Sequence, residues 1–454
     1  MKKAITLILL CLFSYSVAFA EGYQVNLQST KQAAMGHVGA SMKLGAESMH
    51  FNPAGLVFMD KTIDLSAGVS GVFSRAKYSN NSYSHKSDND PSTPLYFYGG
   101  FKIYDFLAAG VSITNPYGSA MNWGVNWAGS GLIQDIALKS FSIQPTLSWK
   151  IMDRLSVGAG MMIMFGDFSL SRALIPAGGL EGLRVMGNPQ VNAVLDNYTD
   201  IAAASATLSG NAGVKLGFNV GAMFDINEQF TVGVSYRSKV DMKVNEGSAK
   251  MNYPNETEIK GLIEMVNPYL PESDKIIIPP LDQGTFEAAL PLPSNLNIGV
   301  TYKPNDRWLV SGEVQFVGWG AYENLNVEFT QGAIKGYSIN AVKNYKNTRI
   351  YRVGTQFAAT NRFDLRLGAY LDESPVTDDF LNPETPSMDK LGITAGFSFR
   401  PLDAWSIDVA LSYVTGFGRD GSYPYPTKAN PGNTFGGHYE VRAFTPSIGL
   451  SYSF

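Results

Sequence analysis

The sequence is short of charge and nearly free of cysteine. Only 16% of its 454 residues are Asp, Glu, Lys or Arg, against roughly a quarter in an average soluble protein. An ordinary charged, water-facing surface is therefore excluded. The single cysteine is Cys11, so no disulfide can form within the chain. Beyond residue 20 there is no run of the ~18 or more apolar residues that a membrane-spanning helix needs, which excludes a helical bundle in lipid. No Lys/Arg run is long enough to neutralise a row of phosphates and the net charge is −4, so nucleic acid is not an expected partner. His37, His50, His85 and His438 are the only histidines. They lack zinc-like spacing, and no nucleophile elbow is present, so no metal, no cofactor and no enzymatic activity is expected. Gly416 to Gly421 matches a dinucleotide fingerprint by letters, but it leads into Tyr423-Pro424-Tyr425-Pro426 and reads as a loop.

What is present begins with an export signal. Lys2 and Lys3 precede an apolar stretch from Ala4 to Phe13, and Ala18-Phe19-Ala20 supplies a cleavage pattern, so residues 1–20 read as a signal peptide that carries Cys11 away. From about residue 62 the period is two. Leu391, Ile393, Ala395, Phe397 and Phe399 alternate with small or polar residues, as do Trp405, Ile407, Val409, Leu411 and Tyr413. A soluble sandwich gives the same alternation, so turn asymmetry has to decide. Six short polar turns lie at 104–105, 152–154, 227–229, 304–307, 360–362 and 401–403, flanked by aromatic or apolar residues such as Phe106, Trp149, Trp308 and Trp405. Seven long polar loops alternate with them, near 78–93, 118–136, 171–205, 248–283, 330–343, 374–388 and 418–436.

Seven hairpins joined by six turns make an all-β fold of fourteen antiparallel strands over residues 61–454. An even strand count, short turns at one end and long loops at the other describe a transmembrane barrel; a sheet can cross lipid only if it closes on itself. Ile448, Leu450, Tyr452 and Phe454 alternate to the end of the chain. A terminal aromatic there is what the barrel-assembly machinery of Gram-negative bacteria reads. Residues 21–60 break the strand pattern. They are rich in Gly and Ala yet include Met35, Val38, Met42, Met49, Phe51 and Leu56, too apolar for a solvated tail, and the lumen is the only concave place to hold them. A diffusion porin or a structural or adhesive barrel shares the sheet but has no use for such an insert.

At Asn52-Pro53-Ala54-Gly55-Leu56 the chain resembles the FadL/TodX family of outer-membrane transporters for long-chain fatty acids and other hydrophobic compounds. Gly233-Val234-Ser235-Tyr236-Arg237-Ser238, Leu290-Pro291-Leu292-Pro293 before the eighth strand, Trp308 and Trp319 in the ninth, and Asp372-Glu373-Ser374-Pro375-Val376 extend the match over essentially the whole mature chain. Lys43-Leu44-Gly45-Ala46-Glu47 departs from it, since relatives often carry paired aspartates there. The resemblance implies a hatch at residues 21–60 bearing Asn52, Pro53 and Ala54, an energy-free route, and a barrel that needs no second copy. It implies capture between two outer loops. These carry Leu180 and Leu183 in one and Ile259, Leu262, Ile263 and Val266, a helical stripe, in the other; the alternative is that both stripes only cap the barrel. It implies a lateral gap into lipid at a third-strand kink, Asn115-Pro116-Tyr117-Gly118, where Pro116 lacks a ladder donor, though by itself that dipeptide could simply end the strand. It also places Arg172 and Lys346 at a ligand head group, where the plainer reading is rim charges paired with acids.

Overall fold

The computed structural model describes residues 22–331, 335, 338–425 and 432–454; the signal peptide reading falls outside them. Fourteen strands form one antiparallel sheet closed on itself. They are β1 (Ile63–Ser70 and Phe73–Ser79), β2 (Leu95–Tyr104), β3 (Leu107–Thr114 and Gly118–Asn122), β4 (Asp135–Met152), β5 (Leu155–Ile175), β6 (Ala204–Asp225) and β7 (Phe230–Arg237 and Val240–Asn252). The second half comprises β8 (Thr285–Leu292 and Asn295–Asn305), β9 (Trp308–Val317 and Asn324–Phe329), β10 (Ser338–Val342 and Thr348–Thr360), β11 (Phe363–Asp372), β12 (Lys390–Leu402), β13 (Trp405–Gly416 and Arg419–Pro424) and β14 (Thr434–Ser453). Each pairs with its chain neighbours, and β14 returns to β1 with Asp64 opposite Ser453 and Ser70 opposite Ser447. The terminal residue completes the seam: Ile63 and Phe454 exchange backbone hydrogen bonds of 2.9 and 3.0 Å. Closure leaves no open edge along the seam, the condition for a sheet to sit in lipid.

The alternation read from the sequence is the division between lipid and lumen. Val234, Ile298, Val310, Val353, Leu367, Ile393 and Ile448 are exposed on the outer face, whereas Ser66, Ser112, Ser142, Gln144, Ser311 and Thr394 are buried inside. Aromatic pairs girdle the short-turn end: Tyr104–Phe106 at 5.4 Å between ring centres, Phe230–Tyr302 at 4.4 Å, Trp308–Phe357 at 4.6 Å and Trp405–Tyr452 at 4.5 Å. All six short turns fall where expected. Most of the long loops are shorter than expected because strands run further up, the loop between Asp372 and Lys390 being the exception. Arg419–Pro424, read as loop, pairs with β14 from Tyr439 to Thr434, so the fingerprint-like run continues a strand. Leu290-Pro291-Leu292 lies within the first segment of β8 rather than before it, and Trp319 sits in a 3-10 turn (Trp319–Ala321) that interrupts β9.

Residues 22–60 fold inside the barrel. Short helices α1 (Thr30–Ala33) and α2 (Ser48–Phe51) and a 3-10 turn (Pro53–Phe58) leave most backbone groups unpaired within the segment, so the wall supplies partners. Glu313 on β9 accepts from the N–H groups of Gly39 (2.8 Å) and Ala40 (2.7 Å) and is held by Arg352 on β10 at 3.1 Å. Glu47 is buried, accepting from Ser66 (2.6 Å) and Lys31 (3.2 Å).

Candidate functional site

Asn52 caps the 3-10 turn by accepting from the N–H of Ala54 at 3.1 Å. Its amide nitrogen donates to three carbonyls, Ala40 at 2.6 Å, Ala222 on β6 at 3.1 Å and Val234 on β7 at 3.2 Å. Pro53 follows at the first helical position, where its missing N–H costs nothing. Glycines on the wall make this approach possible: a Cβ on Gly158 would overlap the backbone of Pro53 and Ala54, one on Gly221 the Asn52 amide, and one on Gly233 the carbonyl of Ala40. The Asn-Pro-Ala run thus fixes the inner segment to β5, β6 and β7.

The third strand breaks at residues 115–117. β3 pairs with β2 up to Thr114 opposite Tyr96, and beyond Pro116 its second segment pairs only with β4, Gly118 opposite Lys139 to Asn122 opposite Asp135. Asn115 bridges the break, accepting from the N–H of Leu95 (3.0 Å) and donating to the carbonyl of Ser140 (2.9 Å). The edge that β2 vacates is taken from inside. Val25 N–H donates to the carbonyl of Pro116 (2.9 Å) and Gly118 N–H to that of Tyr23 (2.8 Å), while Gln28 donates to the carbonyl of Asn115 at 2.7 Å. Tyr117 points inward, and its hydroxyl donates to the carbonyl of Pro293 at 2.9 Å.

Above this stitching lies an apolar cavity of about 60 Å³ walled by Tyr23, Leu138, Phe168, Met242, Leu290, Leu292, Tyr322 and Leu325. One step higher on β5 and β9, Leu170, Arg172, Leu174 and Phe329 line a second pocket of about 130 Å³ together with Leu281 and Ile339. Below the inner segment the character reverses. A vestibule of about 1010 Å³ opens at the short-turn end, lined by Lys31, Asp64, Asp153, Arg154, Asp225, Arg366 and Arg400 among others. Both apolar spaces are well under the ~300–1,000 Å³ of ordinary ligand pockets, so a long chain enters only if the lining moves.

Arg172 faces this mouth pocket. Glu384, Tyr423 and Tyr425 act on it at longer range, but Glu384 is bound to the buried Lys343, and among the described residues Arg172 has no carboxylate in contact. Lys346 is exposed, and its backbone N–H donates to the carbonyl of Pro375 at 2.9 Å; it lines neither apolar space. The six apolar loop residues lie elsewhere than on an open groove. Leu180, Leu183, Ile259, Leu262 and Val266 are buried against one another, with Ile263 packed beside them. The two loops cover each other's stripes. The 3-10 turn (Asp196–Tyr198) that follows α3 (Pro189–Leu195) is tied to α4 (Glu256–Val266) by Glu258, which accepts from the Tyr198 hydroxyl at 2.6 Å and from Asn197 at 3.1 Å. Burial and the Glu258 carboxylate raise the Tyr198 phenol above its ordinary range. Arg184 and Thr199 hydrogen-bond Glu181 and hold that carboxyl below its usual value.

No helix among the described residues is long and apolar enough to cross a membrane, and no group of three or more His, Cys, Asp or Glu among them could hold a metal. A family model described as outer membrane protein transport protein (OMPP1/FadL/TodX) matches residues 11–454. The long-chain fatty acid transport protein of Escherichia coli K12 is 22% identical over 423 residues, covering 88% of this chain and 89% of that one. Among solved structures, a Pseudomonas aeruginosa FadL homologue aligns with a TM-score of 0.75 at 20% identity, covering 95% of this chain and all of the other. The Pseudomonas putida toluene transporter TodX gives 0.68 at 17% identity over 96% and 99%.

Proposed function

Because this chain belongs to the OMPP1/FadL/TodX family of outer-membrane transport proteins, we propose that it takes up long-chain fatty acids or other hydrophobic molecules without an energy source. The observation that carries this reading is the stacking of two apolar spaces above a charged vestibule, with the wall break at Pro116 stitched shut by Tyr23 and Val25. An apolar molecule gains nothing by moving down into a charged chamber. Lipid beside the break offers it an apolar exit. In this scheme the outer loops part to capture the ligand on Leu180, Leu183, Ile259, Leu262, Ile263 and Val266, and the ligand then settles in the lumen. Residues 21–60 act as the hatch, their Tyr23 edge lifts, and the ligand leaves past Asn115–Gly118. Arg172 receives a carboxylate head group where the ligand has one, with Lys346 a more distant cation. Phe454 serves barrel assembly, one barrel suffices, and the reading assigns no reaction.

The test is uptake of labelled oleate by bacteria lacking their own transporter, comparing the native protein with a variant carrying Asn52→Ala and Pro53→Ala at matched surface level. Uptake by the native chain that changes in the variant supports hatch-controlled transport. No uptake by the native, correctly inserted protein of oleate or of any neutral hydrocarbon would move the function to a structural role.

A further inference from the structure

Five Lys or Arg side chains among the described residues are buried: Arg237, Lys343, Arg352, Arg366 and Lys390. Four have a carboxylate partner, namely Glu384 for Lys343, Glu313 for Arg352 at 3.1 Å, Asp408 for Arg366 at 3.9 Å and Asp372 for Lys390 at 3.0 Å. Arg237, 9% exposed, has none. Its guanidinium donates to the His50 carbonyl at 2.7 Å and lies against both ring nitrogens of His50 at 3.1 and 3.3 Å, and its Nε has no acceptor. A neutral imidazole offers one acceptor nitrogen, so one of those two ring contacts sets N–H against N–H. Among the described residues, the phenols of Tyr98 and Tyr117 are the other groups that act on it electrostatically. A desolvated guanidinium without an anion is costly, and its unfilled donors match a carboxylate's two oxygens.

We infer that Arg237 is an inner docking point for the carboxylate of an acidic ligand, and that filling it releases helix α2. The inference rests on the uptake reading above and deepens it. The position suits the task. Arg237 ends the first segment of β7, and three residues later the second segment begins, whose Met242 and Val244 wall the apolar cavity. Its register partner Asn295 donates to the Tyr117 hydroxyl at 3.3 Å, beside the break in β3. A head group at Arg237 therefore leaves its chain in the cavity next to the lateral exit. His50 lies near the end of α2 and two residues before Asn52, so a carboxylate that claims the donors now held by the His50 carbonyl loosens the inner segment at its Asn-Pro-Ala anchor.

Arg237→Gln removes the charge while keeping an amide that can reach the His50 carbonyl. Uptake is compared for labelled oleate and labelled oleyl alcohol, which share a chain and differ in the carboxylate, in variants whose barrels show native heat-modifiable migration. A charge-assisted pair predicts a loss of about tenfold or more for oleate and a change under about twofold for the alcohol. A second measurement keeps Arg237 in place. With Ser48→Cys in the mature chain, oleate should speed maleimide labelling of that buried position and oleyl alcohol should not. Equal loss of both ligands in a folded Arg237→Gln barrel, no loss of either, or labelling indifferent to oleate would overturn the inference while leaving transport itself intact. A native protein that carries neither ligand would overturn the uptake reading and this one with it.

Discussion

The side-chain oxygen of Asn52 occupies the space that a Cβ on Gly221 would need. One residue supplies hydrogen bonds to the wall, and the other leaves the gap through which they reach it. The two cannot be varied independently. Gly221→Val is expected to push the Asn52 amide off the carbonyls of Ala222 and Val234, and Asn52→Ala to leave those carbonyls and that of Ala40 without their donor, at about 1–3 kcal/mol for each unsatisfied group. Either change should make residues 22–60 open to protease added from the short-turn side while the barrel keeps its heat resistance. Full protection in both variants would remove Asn52 as the anchor.

Arg172→Ala should weaken oleate uptake more than uptake of an uncharged hydrocarbon, since only the first loses a charge-assisted pair, by about tenfold. Competition between the two ligands at matched surface level reads this directly. Equal loss for both would reduce Arg172 to a shape-giving residue of the mouth pocket.

Ile259→Asp places a charge at the centre of the contact between the two large loops, where Ile259 is completely buried. Loss of a core aliphatic plus burial of a carboxylate should cost the loop pair several kcal/mol, on the order of 3–5. Limited proteolysis should then cut within 176–203 and 253–284 in preference to the strands. If cutting stays unchanged, the loops are held by something other than this stripe.

Pro116→Thr restores a backbone N–H at the break in β3. The strand can then extend its ladder, and release into lipid should slow several-fold if ligands leave there, with capture by the loops unchanged. Uptake kinetics separate the two steps. Unaltered release would direct the exit downward through the vestibule instead.

Much of this architecture could be read from the residues because a membrane barrel writes its two faces into a period of two. Turns such as 104–105 and 401–403 follow from local chemistry alone, whereas the break at Pro116 takes the resemblance as well, because the dipeptide by itself could simply end the strand. What needs three dimensions is what each face meets. The stripe at Ile259, Leu262 and Val266 marks a buried side of α4 but not its cover, which is the Leu180 and Leu183 loop. Pro291 argues against a strand in isolation; it is tolerated because β8 pairs with β9 in that segment only over Phe286–Ala288, leaving a local edge. Arg419–Pro424 is polar enough to pass for a loop because it extends β13 beyond the apolar band. Arg172 could be singled out as an inward cation by resemblance, whereas Arg237 is distinguished by lacking the carboxylate that Lys343, Arg352, Arg366 and Lys390, the other fully buried cations among the described residues, have.

The upper halves of the strands carry one more implication. Their outward positions on β7, β8 and β9 are polar, with Asp241, Lys243, Glu287, Asn324, Asn326 and Glu328 turned outward, so this part of the wall rises beyond the apolar band. A wall polar on its outside predicts that ligand is captured as a dissolved monomer rather than by sliding in from the outer leaflet. Uptake should follow the free monomer concentration and level off once added lipid goes into micelles, however much more is supplied.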